Sequence, residues 1–312
     1  AFRPGSVYYP SPGGLQEEVR SALVEIEPVY LAGDLAPVSG YSTSGRVRAI
    51  EARQLLRAAQ VGGLPDARLE LNVYDLLEQL GIAPGPWIGE IPVLADAGPP
   101  EAVTSLDGLR SRPGRRVFEG ASGPGPEPFL DLCCARFDEL DARGASIGAA
   151  ALEFVVPRNL SVNTVSVAVL RRSGDEVLLG IDDDDLPAAQ CFSGNSELLV
   201  APAWRLPKDV RTMTPARAWV QARLAAEYGV ACGASWLLGG SYRPSPGCTP
   251  EVVHPMAVEV RAEAGAERAL LWIPLRDAVR SRGVLLDGHL RIVAFRAAHA
   301  LGVLGGRDPT EG

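Results

Sequence analysis

The sequence predicts an α/β protein: a sandwich built on a mixed sheet, with one helix in the middle of the strands and another closing the chain, part of it present twice. Three observations predict this. Short apolar runs of strand length follow one another from Phe129 onward. One well-punctuated helix interrupts them and a second follows the last of them. A loop, strand and helix signature near the start recurs more than two hundred residues later.

The recurrence begins with "YYPSPGGLQEEV", Tyr8 to Val19, and "YRPSPGCTPEVV", Tyr242 to Val253. Tyr8 and Tyr242, Pro12 and Pro246, Gly13 and Gly247, and Glu17 and Glu251 are each 234 apart, and Glu25 and Glu259 in the following runs keep that offset. Further on, Asp66 pairs with Asp287, Leu69 with Leu290 and Gly81 with Gly302 at an offset of 221. Both later stretches read as an Asp N-cap, an amphipathic helix and a terminal Gly. The drop of 13 places extra residues in the first copy, within "LAGDLAPVSGYSTSG". Residues 1–84 therefore read as the second half of a domain and 116–305 as a complete one. A Pro/Gly/Arg-rich linker, 85–115, separates them, and a tail, 306–312, follows. A half-sandwich alone leaves a sheet edge and a helix-packing face uncovered. Its completion is expected from sequence upstream of Ala1, from another chain or from the complete domain.

The elements of the longer unit follow in order. "FLDLCCARFDEL" alternates as a strand, and "ARGASIGAAALEFVVP" leads into another. "VNTVSVAVLRR" and "GDEVLLGI" read as a hairpin around Ser173-Gly174-Asp175. "NSELLVAPAW" is a further strand. "TPARAWVQARLAAEYG" is the clearest helix, with Thr214 as N-cap, Pro215 at the first helical position and Gly229 at its end. "ASWLLGGSYR", "HPMAVEV" and "ALLWIPL" are strands ahead of the final helix.

Composition narrows the function classes. A net charge of −8 argues against general nucleic-acid binding, and no run approaches the apolar length of a membrane span. The five cysteines have neither metal spacing nor disulfide-scaffold density, which fits thiols in a reducing cytoplasm. Lys is nearly absent while Ala, Gly, Arg and Pro are plentiful, which reflects base composition more than function.

The order of these elements resembles the Nudix superfamily, and in particular its ADP-ribose pyrophosphatase-like branch. "NTVSVAVL" looks like the first core strand and "LAAEYGV" like the end of the Nudix box. Pro246 lies 16 residues after Val230, the spacing of that branch, and "ALLWIPLRDAV" with "LLDGHL" looks like the last strand and terminal helix. The family motif, G-x5-E-x7-R-E-U-x-E-E-x-G-U, keeps Leu224, Glu227, Gly229 and Val230 when laid on residues 208–230. Lys208, Thr214, Ala222, Arg223 and Ala226 stand where Gly, Glu, Arg and two further Glu belong.

The resemblance implies a helix whose carboxylates converge on Mg²⁺ or Mn²⁺, which bridge a diphosphate and activate water. Here that face carries Arg223, Ala226 and Glu227, so one carboxylate remains with a guanidinium one turn away. A fixed unit charge repels another by roughly 4 kcal/mol at about 4 Å for an effective dielectric near 20, and the cation is divalent. The expectation is a catalytically inactive box that needs no cofactor and binds a nucleotide-type small molecule or a protein partner. The alternative is a hydrolase of ADP-ribose or nucleoside-diphosphate sugars using Mg²⁺ or Mn²⁺ at a non-standard or upstream site; a purely structural or assembly role is a third reading. Glu227 and Glu251 are the candidate catalytic residues. Arg223, Pro246, Gly247 and Tyr242 are the candidate ligand contacts, and Trp204, Trp219, Tyr228 and Trp236 could offer a stacking face. "IDDDDLP" reads as an acidic loop, Arg110, Arg112, Arg115 and Arg116 as a solvated cluster, and the three histidines as core or surface residues without ligand spacing. Dimerisation through N-terminal strands in that branch implies a homodimer, or an intrachain pseudo-dimer between residues 1–84 and the complete domain. The Pro-Ser-Pro-Gly loop is expected to place Glu251 at the mouth of the pocket.

Overall fold

The computed structural model describes residues 2–26, 49–110, 118, 128–141, 143–263, 265, 268–281 and 283–305. The expected insertion within 31–45, Arg112, Arg115 and Arg116, and the tail 306–312 lie outside these.

Seven strands form the main sheet. β5 (Asn163–Ser173) and β6 (Glu176–Asp185) make the expected hairpin, closed by Gly174 and Asp175. β5 pairs in parallel with β10 (Val252–Glu263), whose far edge takes β9 (Val230–Leu237) antiparallel. β11 (Leu271–Pro274) lies on β6. The run expected as one strand at 195–204 is two, β7 (Glu197–Val200) on β6 and β8 (Ala203–Arg205) on β5. Pro202, which has no amide hydrogen for a ladder, stands in the break. Asp182 to Asp185, expected in a loop, belong to β6 and pair with β7.

Alternation on β5 sends Val165, Val167 and Val169 to one face and Ala168 and Leu170 to the other. Helix α5 (Met213–Tyr228) covers the first face through Ala216, Val220, Leu224 and Tyr228, each one turn after the last. Its N-cap is Thr212 rather than Thr214, which places Pro215 inside the first turn, where its missing N–H costs nothing. Helix α7 (Gly288–Ala300) covers the second face and is buried along its whole length. Helices on both sides of a mixed sheet make an α/β/α arrangement.

Leu56, Leu71, Tyr74 and Leu77 join the core on the α7 side. β1 (Phe2–Tyr8) and β2 (Val19–Val24) form an antiparallel pair, followed by α1 (Ala52–Gln60) and α2 (Ala67–Leu80). Asp66 and Asp287 cap α2 and α7 in the same way, each accepting from the amides two and three residues on. The stretch expected as a linker lies along the body. Arg171 donates to the carbonyls of Ala97, Gly98 and Pro99, Thr104 N donates to Trp272 O, and both carboxylate oxygens of Glu90 accept from Arg217 Nη2. Short helices α3 (Leu106–Arg110), α4 (Pro187–Ser193) and α6 (Leu275–Arg280) complete the chain, with the hairpin of β3 (Leu130–Leu140) and β4 (Ser146–Pro157).

Contacts between residues 2–80 and the longer unit are reciprocal. Tyr9 bridges Asp287 and Asp66 bridges Arg243, which are each other's counterparts under the two sequence offsets. Arg296 makes a two-pronged ion pair with Glu70, with bonds of 2.7 and 2.7 Å, and its counterpart Asp75 pairs with Glu70's counterpart Arg291 at 3.0 Å. Ser11 donates to Glu251 at 2.9 Å, and Ser245 donates to Glu17 at 2.9 Å. Tyr74 stacks on its own counterpart Phe295, with ring centres 4.9 Å apart. This exchange of i–j for j–i is the signature of an isologous contact. Close approach of backbones serves it as well: a Cβ on Gly240 would stand 2.3 Å from the Gly62 amide nitrogen.

Two predictions follow from this interface. Arg296 is 0% exposed. Removing its carboxylate with Glu70→Ala should cost about 3–5 kcal/mol in urea unfolding, because a buried charge loses its partner. The double change Glu70→Leu with Arg296→Met should recover most of that loss. His299 Nδ1 lies 3.1 Å from Tyr74 OH and Nε2 donates to Gly85 O at 2.8 Å, and burial holds its pKa below the ordinary 6.5. The unfolded chain therefore takes up a proton that the folded chain resists. Stability should fall as pH drops from about 7 through 6.5, and the fall should be shallower in His299→Gln.

Candidate functional site

A cavity of about 260 Å³ opens where the C-terminal turn of α5, strand β8, the end of β6 and the loop of Ser11 to Gly14 meet. Aromatic and charged side chains line it together. Trp204 and Tyr228 have ring centres 6.5 Å apart, and Phe129 stands under the Arg205 guanidinium at 5.6 Å. Both guanidinia in the wall, Arg205 and Arg268, sit over aromatic rings, Arg268 at 5.8 Å from Tyr228.

Each carboxylate of the cavity is already engaged. Glu227 accepts from Trp204 Nε1 at 3.0 Å and forms an ion pair with Arg223 one turn back. Glu251 accepts from Thr164 at 2.6 Å and Ser11 at 2.9 Å, and Arg205 approaches it to 3.6 Å. Asp182 accepts from Tyr228 OH at 2.7 Å and Arg268 Nε at 2.9 Å. Burial pushes the Asp182 carboxyl above the ordinary range, with the bonds from Tyr228 and Arg268 pulling the other way. Asp287, the α7 cap, is also pushed up by burial while three backbone amides hold it.

Of the residues singled out from sequence, Glu227 and Glu251 line this cavity. Glu251 lies at its floor, 4% exposed, rather than at a mouth, because Thr164 and Ser11 draw it inward. Arg223 touches the site only through Glu227 and holds its guanidinium 5.7 Å over Trp219. Tyr242 is 1% exposed and hydrogen-bonds His289, so it supports the wall from behind. Pro246 and Gly247 are exposed and away from the cavity, while their counterparts Pro12 and Gly13 line it. The reciprocal contact explains the exchange: each loop crosses to the other half. Arg205, Arg268, Phe129 and Thr164 carry no motif and were not legible beforehand. Ser11 was not singled out either, although it lies in the recurring Pro-Ser-Pro-Gly loop.

The arrangement can stack a planar ring and offer guanidinium donors to an anion. It does not fit a divalent cation on α5. Glu227 is held by a cation and an indole N–H, and the neighbouring position is Ala226. Among the described residues no group of three or more His, Cys, Asp or Glu side chains is placed to hold a metal ion.

No protein-family model matches the sequence, and no curated protein matches it. Among solved structures the fold is similar to one described as "Crystal structure of ADP compounds hydrolase", at 10% identity and a TM-score of 0.39, over 56% of this chain and 93% of that one. No helix among the described residues is long and apolar enough to cross a membrane.

The site generates a metal prediction. Arg223→Glu with Ala226→Glu, which removes the cation and adds two carboxylates beside Glu227, should tighten Mg²⁺ binding in calorimetry by about tenfold or more. Tight Mg²⁺ binding to the unaltered protein that Glu227→Gln abolishes would overturn the site as described.

Proposed function

We propose that the cavity binds a nucleoside-diphosphate derivative of the ADP-ribose type and that the helix of residues 213–228 does not hydrolyse it with a metal. The observation that carries this is the ion pair by which Arg223, outside the cavity, engages Glu227 in its wall. It leaves one paired carboxylate where a Nudix box would gather several, and the guanidinia that do line the cavity can meet phosphate oxygens two at a time. Arg205 and Arg268 add planar cations in the same wall, and Trp204 with Tyr228 gives a surface for a base. The chain is read here as a Nudix-like module, with residues 1–84 as a second, partial copy. The reciprocal bridges and ion pairs support that reading, and so does the Ser11 contact that carries the first copy's loop to the second copy's cavity.

A hydrolase is the second reading, favoured by one observation: Asp184, Glu227 and Glu251 line a single cavity. Its Mg²⁺ or Mn²⁺ would have to displace the Trp204 and Arg223 contacts to Glu227 or the Ser11 and Thr164 contacts to Glu251.

Thermal unfolding with ADP-ribose tests binding. At a hundredfold excess over Kd a ligand contributes about 2.7 kcal/mol, which should raise Tm by about 5 °C or more. Trp204→Ala should remove most of the shift. Phosphate-release assays should show no Mg²⁺-stimulated turnover, and a robust Mg²⁺-dependent rate lost in Glu227→Gln or Glu251→Gln would establish the hydrolase instead.

A further inference from the structure

Where β10 begins, three side chains form a hydrogen-bonded chain outside the Glu227 cavity. Ser241 Oγ lies 2.7 Å from His254 Nδ1, and His254 Nε2 lies 3.1 Å from Asn163 Oδ1. β10 runs parallel to β5 there, with His254 beside Val165 and Val252 beside Asn163, which brings the imidazole and the carboxamide to one face. A carboxamide oxygen only accepts, so Nε2 carries its proton and donates it to Asn163. Asn163 Nδ2 in turn donates to Ser161 Oγ at 3.3 Å, which holds the amide that way round. Burial alone holds the His254 pKa below the ordinary 6.5. Near neutral pH Nδ1 is therefore unprotonated and accepts from the Ser241 hydroxyl. All three side chains are half-buried rather than sealed in the core.

Two backbone amides stand on the same side. Arg296 of α7 donates through Nη1 to the carbonyls of both Leu238 and Gly240. Among the described residues no peptide bond is cis. The N–H of each of these two peptide units, that of Gly239 and that of Ser241, thus points opposite to its carbonyl and away from Arg296. His254 also lies on the face turned away from α7, two residues before Met256 of the α5-side core. Among the described residues no acceptor meets either amide. A nucleophile's own amide and that of the residue two before it are the pair that holds the oxyanion in the Ser-His-Asp template.

We propose that Ser241, His254 and Asn163 form a second reactive site, which takes the acyl group of a short, uncharged carboxylic ester. Ser241 Oγ forms a bond to the ester carbonyl carbon while its proton passes to His254 Nδ1, and the Gly239 and Ser241 amides meet the carbonyl oxygen as it becomes negative. The ester's own C–O bond then breaks, and the alcohol leaves with the proton from His254. Water releases the acyl group from Ser241 along the same proton path. Asn163 is a positioning residue that keeps the ring proton on Nε2. Being neutral, it supports the imidazolium less than a carboxylate would. The acyl chain is short because the first half closes over the glycines: a Cβ on Gly240 would stand 2.3 Å from the Gly62 amide nitrogen. Glu90 and Arg217, which bond the Leu237 amide and the Ser235 carbonyl ahead of this loop, pair with each other, so that stretch offers no single charge to draw an ionic acyl group. The proposal does not depend on what the Glu227 cavity binds.

The probe is an uncharged alkyl fluorophosphonate applied to the intact chain and read by mass and peptide mapping. An Oγ–P bond forms, and fluoride leaves with the serine proton that His254 carries. The expected result is one adduct, on Ser241, absent from Ser241→Ala. Asn163→Asp, which gives the imidazolium a carboxylate, should speed labelling by about tenfold or more. The rate in the unaltered protein should fall as pH drops below about 6.5, where His254 takes up a proton. A hydrogen-bond chain that only braces the fold would move neither readout. p-Nitrophenyl acetate should give a burst of nitrophenol that Ser241→Ala removes. No adduct on Ser241, adducts spread over many hydroxyls, or a labelling rate indifferent to Asn163→Asp and to pH overturns the proposal.

Discussion

A guanidinium without access to water must be matched by a carboxylate, and Arg296 is such a group. Its fork on Glu70 joins the last helix of the chain to the second one, and its remaining nitrogen donates to the carbonyls of Leu238 and Gly240. Each of its three nitrogens donates, as a buried pair requires if it is not to destabilise the fold. The neighbouring Arg291–Asp75 pair repeats the contact with its charges exchanged. The two pairs fix the register of α2 against α7. A shift of one helical turn would bury both arginines against the wrong residues.

That register decides what reaches the cavity. With α2 and α7 locked, Tyr9 bridges Asp287 and its amide donates to Leu286 O, so the chain leaving β1 is held beside the start of α7. Ser11 then stands 2.9 Å from Glu251 and the next residues form one wall of the site. The Glu251 carboxylate is shared between the halves: Ser11 comes from one, Thr164 and Arg205 from the other. Loosening the interface between halves would therefore change the floor of the cavity before it changed either sheet. The linking stretch adds to the same clamp, since Glu259 accepts from Ala95 N at 2.6 Å and its carboxyl is held below the ordinary range by amides and Arg261 against the cost of burial.

Much of the fold was legible because its signals are local. Asp66, Asp287, Gly81 and Gly229 each mark a helix end through one residue's backbone chemistry, and the alternation of β5 declares two buried faces. The break at Ala201-Pro202 was read as continuous strand, and the cap at Thr212 was placed two residues late, at Thr214, where competing local signals sat side by side. Asp182 to Asp185 were misread because four acidic residues look solvated. In the fold Arg268 and Tyr228 engage Asp182, and Ser196 engages Asp185. The cavity was only half legible. Glu227 and Glu251 carry a spacing, whereas Arg205, Arg268 and Phe129 come together only through strand order. The exchange of the two Pro-Ser-Pro-Gly loops could not be read from either copy alone, because it is a property of their contact.

The helix of the candidate site shows how packing and chemistry separate on one element. Leu224, Tyr228, Gly229 and Val230 are held by the core or by the helix end: Leu224 is 0% exposed, and Gly229 adopts φ 61°, which a side chain would strain. Arg223, Ala225 and Ala226 face outward and are bound by no such requirement. On the proposed reading, carboxylates on that outer face serve only a metal, and replacing them leaves the sheet and both cores intact. The Arg223–Glu227 link contributes a few tenths of a kcal/mol to an exposed helix, so stability gives it little weight in either direction. What it changes is the one carboxylate that α5 gives the cavity wall, which it pairs. With Arg205 and Arg268 in the same wall, such a site favours an anionic group held in place over a cation that activates water.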